Sequence, residues 1–457
     1  MIGRILRLTG VWRGWLWLGL AAALLKVIYL IPVHPDDLRR DPASDPAQYI
    51  SLAEQVSHHI LEQPLAFGTR LIGGKMTPQQ MAAAGLDVES VQNVFRAPTW
   101  IGLIGMGIRL FGYSDQLIWG MTVLLFAASS LFFLGWLRFH LSPGWSLAGW
   151  IVFVLYPPFY FMCESALVEN ILIFQIVLFL YFMSRLFRSW NRRDAIWTGL
   201  SLMALVMAKP FFYAWLWPVW IGILICIWRN AGRGRWSILS GMGIGMLILL
   251  VPIKLVVFRT TGQWDILHPV STEIQNIFQG TGMWNSATPD YDGWHYNHKH
   301  DSYFFSVDDS LLRLPTRVLE DGRQANYLDV NHYARTCNAA FRNYLRDHYP
   351  AYIMEFLKKT GFLLIFPFSA IFHYNNGLWL DGIYDLVFHW ILLMGALLGL
   401  GFSFKSWKKY WAVWLLILYH LGLYGMTHIE ARFNLTLMPA LIMLACFGIG
   451  SMVHGIM

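Results

Sequence analysis

Read from the amino terminus, the chain alternates long apolar runs with short polar breaks. As a helix, a run of about 18 apolar residues or more crosses the roughly 30 Å of a bilayer's hydrocarbon. The first run, Gly10 to Ile31, leads into Pro32-Val-His-Pro with no small-residue cleavage pattern, so it reads as a retained span rather than a removed signal peptide. Further spans are predicted near 116–137, 145–160, 166–184, 195–208, 211–228, 237–258, 383–402, 410–426 and 435–454.

Two segments follow a different rhythm. From Pro46 to Ile60, the residues Tyr49, Leu52, Ala53, Val56 and Ile60 fall on one helical face. Such a helix lies along the membrane surface. Pro98 to Phe111 is apolar but spans only about 21 Å as a helix. If it crossed, Arg185, Arg188, Arg192 and Arg193 would face outward; if it lies flat, they face the cytoplasm. The later basic loops, Arg229, Arg233 and Arg235, then Lys405, Lys408 and Lys409, then face the cytoplasm too, as the positive-inside rule requires. Pro98 to Phe111 therefore reads as a second juxtamembrane helix, ending at Gly112. Arg4, Arg7 and Arg13 before the first span put the N-terminus in the cytoplasm, and the span count puts the C-terminus there as well.

The expected fold is an all-α polytopic membrane protein of about ten transmembrane helices, with juxtamembrane helices and a long external loop. It divides into an N-terminal transmembrane module, 1–258, that includes the first external loop, 33–115; an external region, 259–380; and the C-terminal spans, 381–457. The external region is too long for a plain connection. Within it, Tyr327 to His348 has helical periodicity and is expected to stop at Pro350, and Gly361 to Phe372 reads as a surface or re-entrant helix. No internal repeat is found, which weakens a transporter built from duplicated halves.

Composition agrees with this reading. The 457 residues are 56% hydrophobic and only 13% charged, against about 25% in a soluble domain. The net charge of +7 is spread through short loops between spans, a pattern that excludes a nucleic-acid partner. Cys163, Cys226, Cys337 and Cys446 are scattered and form neither a disulfide framework nor a metal motif.

Acidic residues narrow the search for chemistry. On the predicted topology Asp194 is the only carboxylate in a cytoplasmic loop. The positive-inside rule counts Lys and Arg rather than acids, so this asymmetry points to chemistry on the external face. Asp45, beside Asp41, opens the first surface helix. It reads as a helix cap, with Pro46 in the first turn and Gln48 completing a capping box, and also as a general base. Arg96 opens the second surface helix and suits bidentate phosphate binding, or else snorkels at the interface. Glu164 and Glu169 lie where the third span meets the fourth, either as a solvated pair or as acidic support. Lys209 ends the fifth span and meets a lipid phosphate or snorkels. His428, Glu430 and Arg432 are wedged between the last two spans; Arg432 holds an anionic group or pairs with Glu430. His295, His298 and His300, with Asp290, Asp292 and Asp301, are metal ligands by type, but their spacing matches no zinc pattern, and no metal site is assigned.

Together these passages resemble the GT-C class of membrane glycosyltransferases, nearest the protein O-mannosyltransferase and aminoarabinose transferase superfamily (family 39-like). Asp45-Pro-Ala-Gln-Tyr49-Ile-Ser-Leu-Ala53 is similar to that family's first external loop, although Pro46 stands where some members have a second acid. Arg96-Ala-Pro98, running to Leu110-Phe111-Gly112, resembles its second juxtamembrane helix. Pro157 to Glu169 resembles the second external loop, and Glu430-Ala-Arg432-Phe433 with Pro439 resembles its late Arg-aromatic motif. Asn331 to Lys359 is also similar to a family passage.

The resemblance implies a polyprenyl-phosphate-linked sugar as donor and a lipid, glycan or protein as acceptor. It implies an active site on the external (periplasmic) face of the cytoplasmic inner membrane of the cell envelope. Single displacement with inversion would use Asp45 as catalytic base, and Arg96, Lys209 and Arg432 would meet the leaving phosphate. Asp41, Glu164, Glu169 and Glu430 are candidate acidic support, and Tyr49 and His428 candidate donor or acceptor contacts. No cofactor is implied, and a divalent metal is left open. No glycine-rich phosphate loop is present, in keeping with a donor that is not a nucleotide sugar. The alternatives are a lipid-linked-sugar flippase or transporter, marked by charges buried in mid-span, and a non-catalytic scaffold.

Overall fold

The structure is a computed structural model that describes residues 14–15, 17–28, 45–57, 97–163, 166–209, 212–261, 316–318, 324–326, 330–367, 369, 379–426 and 431–456. Five of its helices are long and apolar enough to cross a membrane: Asp115–His140, Glu169–Ser189, Phe212–Asn230, Arg235–Leu255 and Leu380–Phe404. Shorter apolar helices accompany them, and the whole has the character of a helical membrane protein. The described chain is helical except for an antiparallel pair of three-residue strands, β1 (Thr316–Val318) and β2 (Gln324–Asn326).

The chain forms two compact units. The first holds Met1–Ile266, Trp390–Val413 and Leu435–Met457; the second holds Leu267–His389 and Trp414–Asn434.

In the first unit, α1 (Trp17–Ile28) precedes α2 (Asp45–Gln55) and then α3 (Pro98–Phe111). α3 occupies the segment whose length and charge parity mark it as non-crossing. Proline supplies its first residue, and Gly112 closes it at φ 77°, donating its N–H to the Ile108 carbonyl at 2.8 Å. That φ favours glycine. The buried face of α2 is Tyr49, Ile50, Leu52, Ala53 and Val56, and it packs on α3, where Gly105 lies against the Ala53 carbonyl and Val56.

Next come α4 (Asp115–His140), α5 (Pro143–Leu155), the short α6 (Pro158–Cys163), α7 (Glu169–Ser189), α8 (Arg192–Ala208), α9 (Phe212–Asn230) and α10 (Arg235–Thr261). Local chemistry fixes several starts. Ser114 accepts from the Leu117 N–H at 3.1 Å to cap α4, and Asn191 Oδ1 accepts from the Asp194 N–H at 2.8 Å to cap α8. α7 packs between α4 and α8, and α8 packs on α10. Phe126, Phe133, Phe153 and Phe159 interlock α4, α5 and α6, with Phe133 and Phe153 stacked at 4.5 Å between centroids. On the outside, α9 shows Trp217, Ile221, Ile225 and Trp228, and α10 shows Leu247, Ile248 and Val251. A long helix that exposes an apolar stripe presents it to lipid.

α12 (Trp379–Phe404), α13 (Trp407–Met426) and α14 (Met438–Ile456) complete the chain's long helices. In the first unit, α14 packs on α5, and Gly399 of α12 meets the backbone of Leu444 of α14.

The second unit centres on α11 (Val330–Ile365). Here the expected stop at Pro350 is corrected, because the helix runs through Pro350 and takes in the start of the predicted helix at Gly361. A proline inside a helix loses one backbone bond and costs about 3 kcal/mol or more. Packing beyond it offsets that cost. Tyr352 Oη donates to the Met426 carbonyl at 3.4 Å, Phe356 lies on Gly425, and Thr360 Oγ1 donates to the Leu421 carbonyl at 3.5 Å. His389 Nε2 donates to the Leu364 carbonyl at 2.6 Å, and Asn434 Nδ2 donates to the Phe366 carbonyl at 2.8 Å.

A close helix contact joins α8 and α10. A Cβ on Gly199 would collide with the Met242 carbonyl, and one on Gly245 with the Ile196 carbonyl. Small residues let membrane helices approach to backbone contact. Gly245→Ala should therefore cost about 1–3 kcal/mol, read as a lower unfolding midpoint in detergent; an unchanged midpoint would show that this spacing is not required.

Candidate functional site

Buried backbone polar groups persist only where protein bonds them. The stretch between α5 and α7 meets that condition with side chains from three helices. The Met162 and Leu167 carbonyls accept from Asn170 Nδ2 of α7 at 2.7 and 3.1 Å. The Cys163 carbonyl accepts from Thr122 Oγ1 of α4 at 2.9 Å. The Ala166 carbonyl accepts from Trp100 Nε1 of α3 at 2.7 Å. Leaving any of these buried groups without a partner would cost about 1–3 kcal/mol. Trp100 is fully buried, so the bond to Ala166 also fixes the start of α3 against this loop.

Glu169 follows directly, in the first turn of α7, where a helix dipole favours a carboxylate. Its side chain is 2% exposed, and its Oε1 lies 3.3 Å from Nζ of Lys209, which is 14% exposed and sits just past the end of α8. The sequence proposes these two residues separately, and the fold makes them partners across 40 positions.

Lys26 is the residue that sequence reasoning missed. It is buried in α1, with Nζ 3.2 Å from the Tyr160 ring centroid and 4.0 Å from that of Phe126. An ammonium over aromatic faces is stabilised by their quadrupoles. The available signal was a single lysine inside an otherwise apolar run, where an ionisable residue marks a functional candidate.

The remaining candidates are distributed as follows. Asp45 is the first residue of α2, so the helix starts one position earlier than the predicted cap allows, a shift within ordinary variation at helix ends. Tyr49 is buried in the packed face of α2. Asp41, Arg96, Glu164, His428 and Glu430 lie outside the described residues, as do His295, His298, His300, Asp290, Asp292 and Asp301. Arg432 belongs to the second unit. It is half-buried in a single 3-10 turn, Ala431–Thr436, 5.7 Å from the Phe433 ring, which stacks on Tyr424 at 4.5 Å. The first unit thus joins Lys26, Glu169 and Lys209 around one anchored loop and carries Asp45 on the helix pair tied to that loop. It sets one cation among aromatic rings and another beside a carboxylate.

Compared with known proteins, the chain matches no family model, no curated protein and no solved structure.

Removing one member of a buried ion pair strands the other. Lys209→Met should cost about 3–5 kcal/mol on that account, and Lys209→Met with Glu169→Leu should recover most of the loss in a detergent unfolding series. Equal losses in the single and double variants would assign the effect to packing instead.

Proposed function

We propose that the protein is a membrane glycosyltransferase that moves a sugar from a polyprenyl-phosphate donor to an extracytoplasmic acceptor, with inversion at the sugar. The chain crosses the cytoplasmic membrane ten times, through α1, α4, α5, α7, α8, α9, α10, α12, α13 and α14. Both termini are cytoplasmic, and α2 and α3 lie at the outer surface. The observation that carries this reading is the linked set in the first unit. Asp45 opens α2, α2 packs on α3, α3 is bonded through Trp100 to the loop, and the loop leads into the Glu169–Lys209 pair. The motif resemblance supports the same assignment.

The chemistry follows from the residue types. Asp45 takes the acceptor hydroxyl proton as the nucleophile forms its bond to the anomeric carbon, and the polyprenyl phosphate leaves as an anion. Lys209 stabilises that charge where it develops. An ammonium donates three hydrogen bonds, so pairing with Glu169 and gripping a phosphate are compatible. Arg96 and Arg432 are candidates for the same task by resemblance, each to be tested by substitution.

Asp45→Asn is the decisive variant. Asn serves as well as Asp near a helix start, so the fold is retained while the base is lost. Transfer from a polyprenyl-phosphate sugar in proteoliposomes should fall about 10²–10⁴-fold; full activity would refute the role.

One observation favours a second reading, a lipid-linked-sugar flippase or transporter. Asp385 and His389 are buried one turn apart on α12, and His420 is buried well inside α13. Buried ionisable groups within membrane helices mark transport paths. Labelled donor in the same vesicles separates the two, since a flippase moves label across the bilayer with no covalent product.

A further inference from the structure

We infer that the end of the first unit where Arg188 of α7, Lys409 of α13 and His140 of α4 meet binds the phosphate of an anionic phospholipid headgroup. α7 runs from Glu169 to Ser189, so this place is about 30 Å from the Glu169–Lys209 pair. The inference stands whether or not the sugar-transfer reading does.

The three elements converge by contact. His140 Nε2 is hydrogen-bonded to Ser184 Oγ at 3.2 Å, and its ring lies 5.6 Å from that of Tyr410. Arg188 donates to the Phe139 carbonyl at 2.8 Å and lies 4.7 Å over the Phe139 ring. That bond uses one of five guanidinium donors. Lys409 sits 5.2 Å over Tyr410. Arg188 packs on Phe139, the residue before His140, so the two cations flank the His140–Tyr410 contact. Both side chains are exposed.

Among the described residues of the meeting segments, no carboxylate is left to compensate them. The meeting segments, 131–145, 184–197, 403–414 and 445–456, contain one acid, Asp194. Asp194 is already engaged: Arg185 Nε lies 2.9 Å from it, and Ser189 Oγ and Asn191 Nδ2 donate to it at 2.6 and 2.9 Å. Like charges placed together call for an anion between them. Phosphate suits the site because guanidinium binds it through two parallel hydrogen bonds.

The surroundings favour a lipid over a soluble phosphate. The cations stand among rings: Phe139 under Arg188, Trp15 at 5.3 Å from Arg138, Phe187 at 6.5 Å from Trp411, and exposed Trp407. Aromatic side chains beside Lys and Arg at helix ends occupy the headgroup layer.

The test uses the full chain in detergent and native mass spectrometry, with phosphatidylglycerol set against phosphatidylcholine. Arg188→Ala with Lys409→Ala should lower phosphatidylglycerol retention by roughly tenfold or more and leave phosphatidylcholine unchanged. Arg188→Lys with Lys409→Arg keeps both charges and should retain the lipid. Undiminished retention in the alanine variant overturns the inference, as does an equally deep loss in the charge-preserving one. If inorganic phosphate displaces both lipids alike, the site belongs to a soluble anion and the lipid assignment fails.

Discussion

The carbonyl groups between α5 and α7 set the terms for the rest of the first unit. Apolar surroundings offer them no water, so other helices must supply donors. Trp100, Thr122 and Asn170 do so from α3, α4 and α7. One requirement therefore fixes three things together: the place of a surface helix, the path of an irregular loop, and the start of α7 with its carboxylate. The Glu169–Lys209 pair stands where it does because the backbone before it has been bound in position.

Much of this was legible in the sequence wherever the governing rule is local. Pro98 and Gly112 bound α3 to the residue, since one presets a helical φ and the other accepts a left-handed one. The inward face of α2 followed from period, with Tyr49, Leu52 and Ala53 buried, as is Val56 just past its end, while Ile60 lies outside the described residues. What escaped was non-local. Nothing in the spacing of Glu169 and Lys209 shows that helices α7 and α8 bring them together. Lys26 is one polar residue in a span, and its aromatic cradle comes from Phe126 and Tyr160, far along the chain. Pro350 misled for the same reason. Local chemistry predicts a stop there, and tertiary contacts at Tyr352, Phe356 and Thr360 override it.

The two units carry different kinds of buried polarity. In the first, charged groups gather at helix ends and are held by rings, caps and a partner of opposite sign. In the second, Asp385, His389 and His420 lie along apolar helices, with the histidines bonded to backbone carbonyls at Leu364 and Leu416. Groups of the first kind suit binding an anion at the membrane boundary. Groups of the second kind tune the interior of a helix bundle, where a polar side chain must find a partner among its neighbours.

The backbone contact between α8 and α10 bears on motion. Gly199 and Gly245 leave no side-chain layer that could act as a lubricant between these helices, so sliding one past the other would drive carbonyl into α-carbon. Shear needs a deformable interface, and this one has none. The pair is therefore a stator: relative motion within the first unit must pass through other helices.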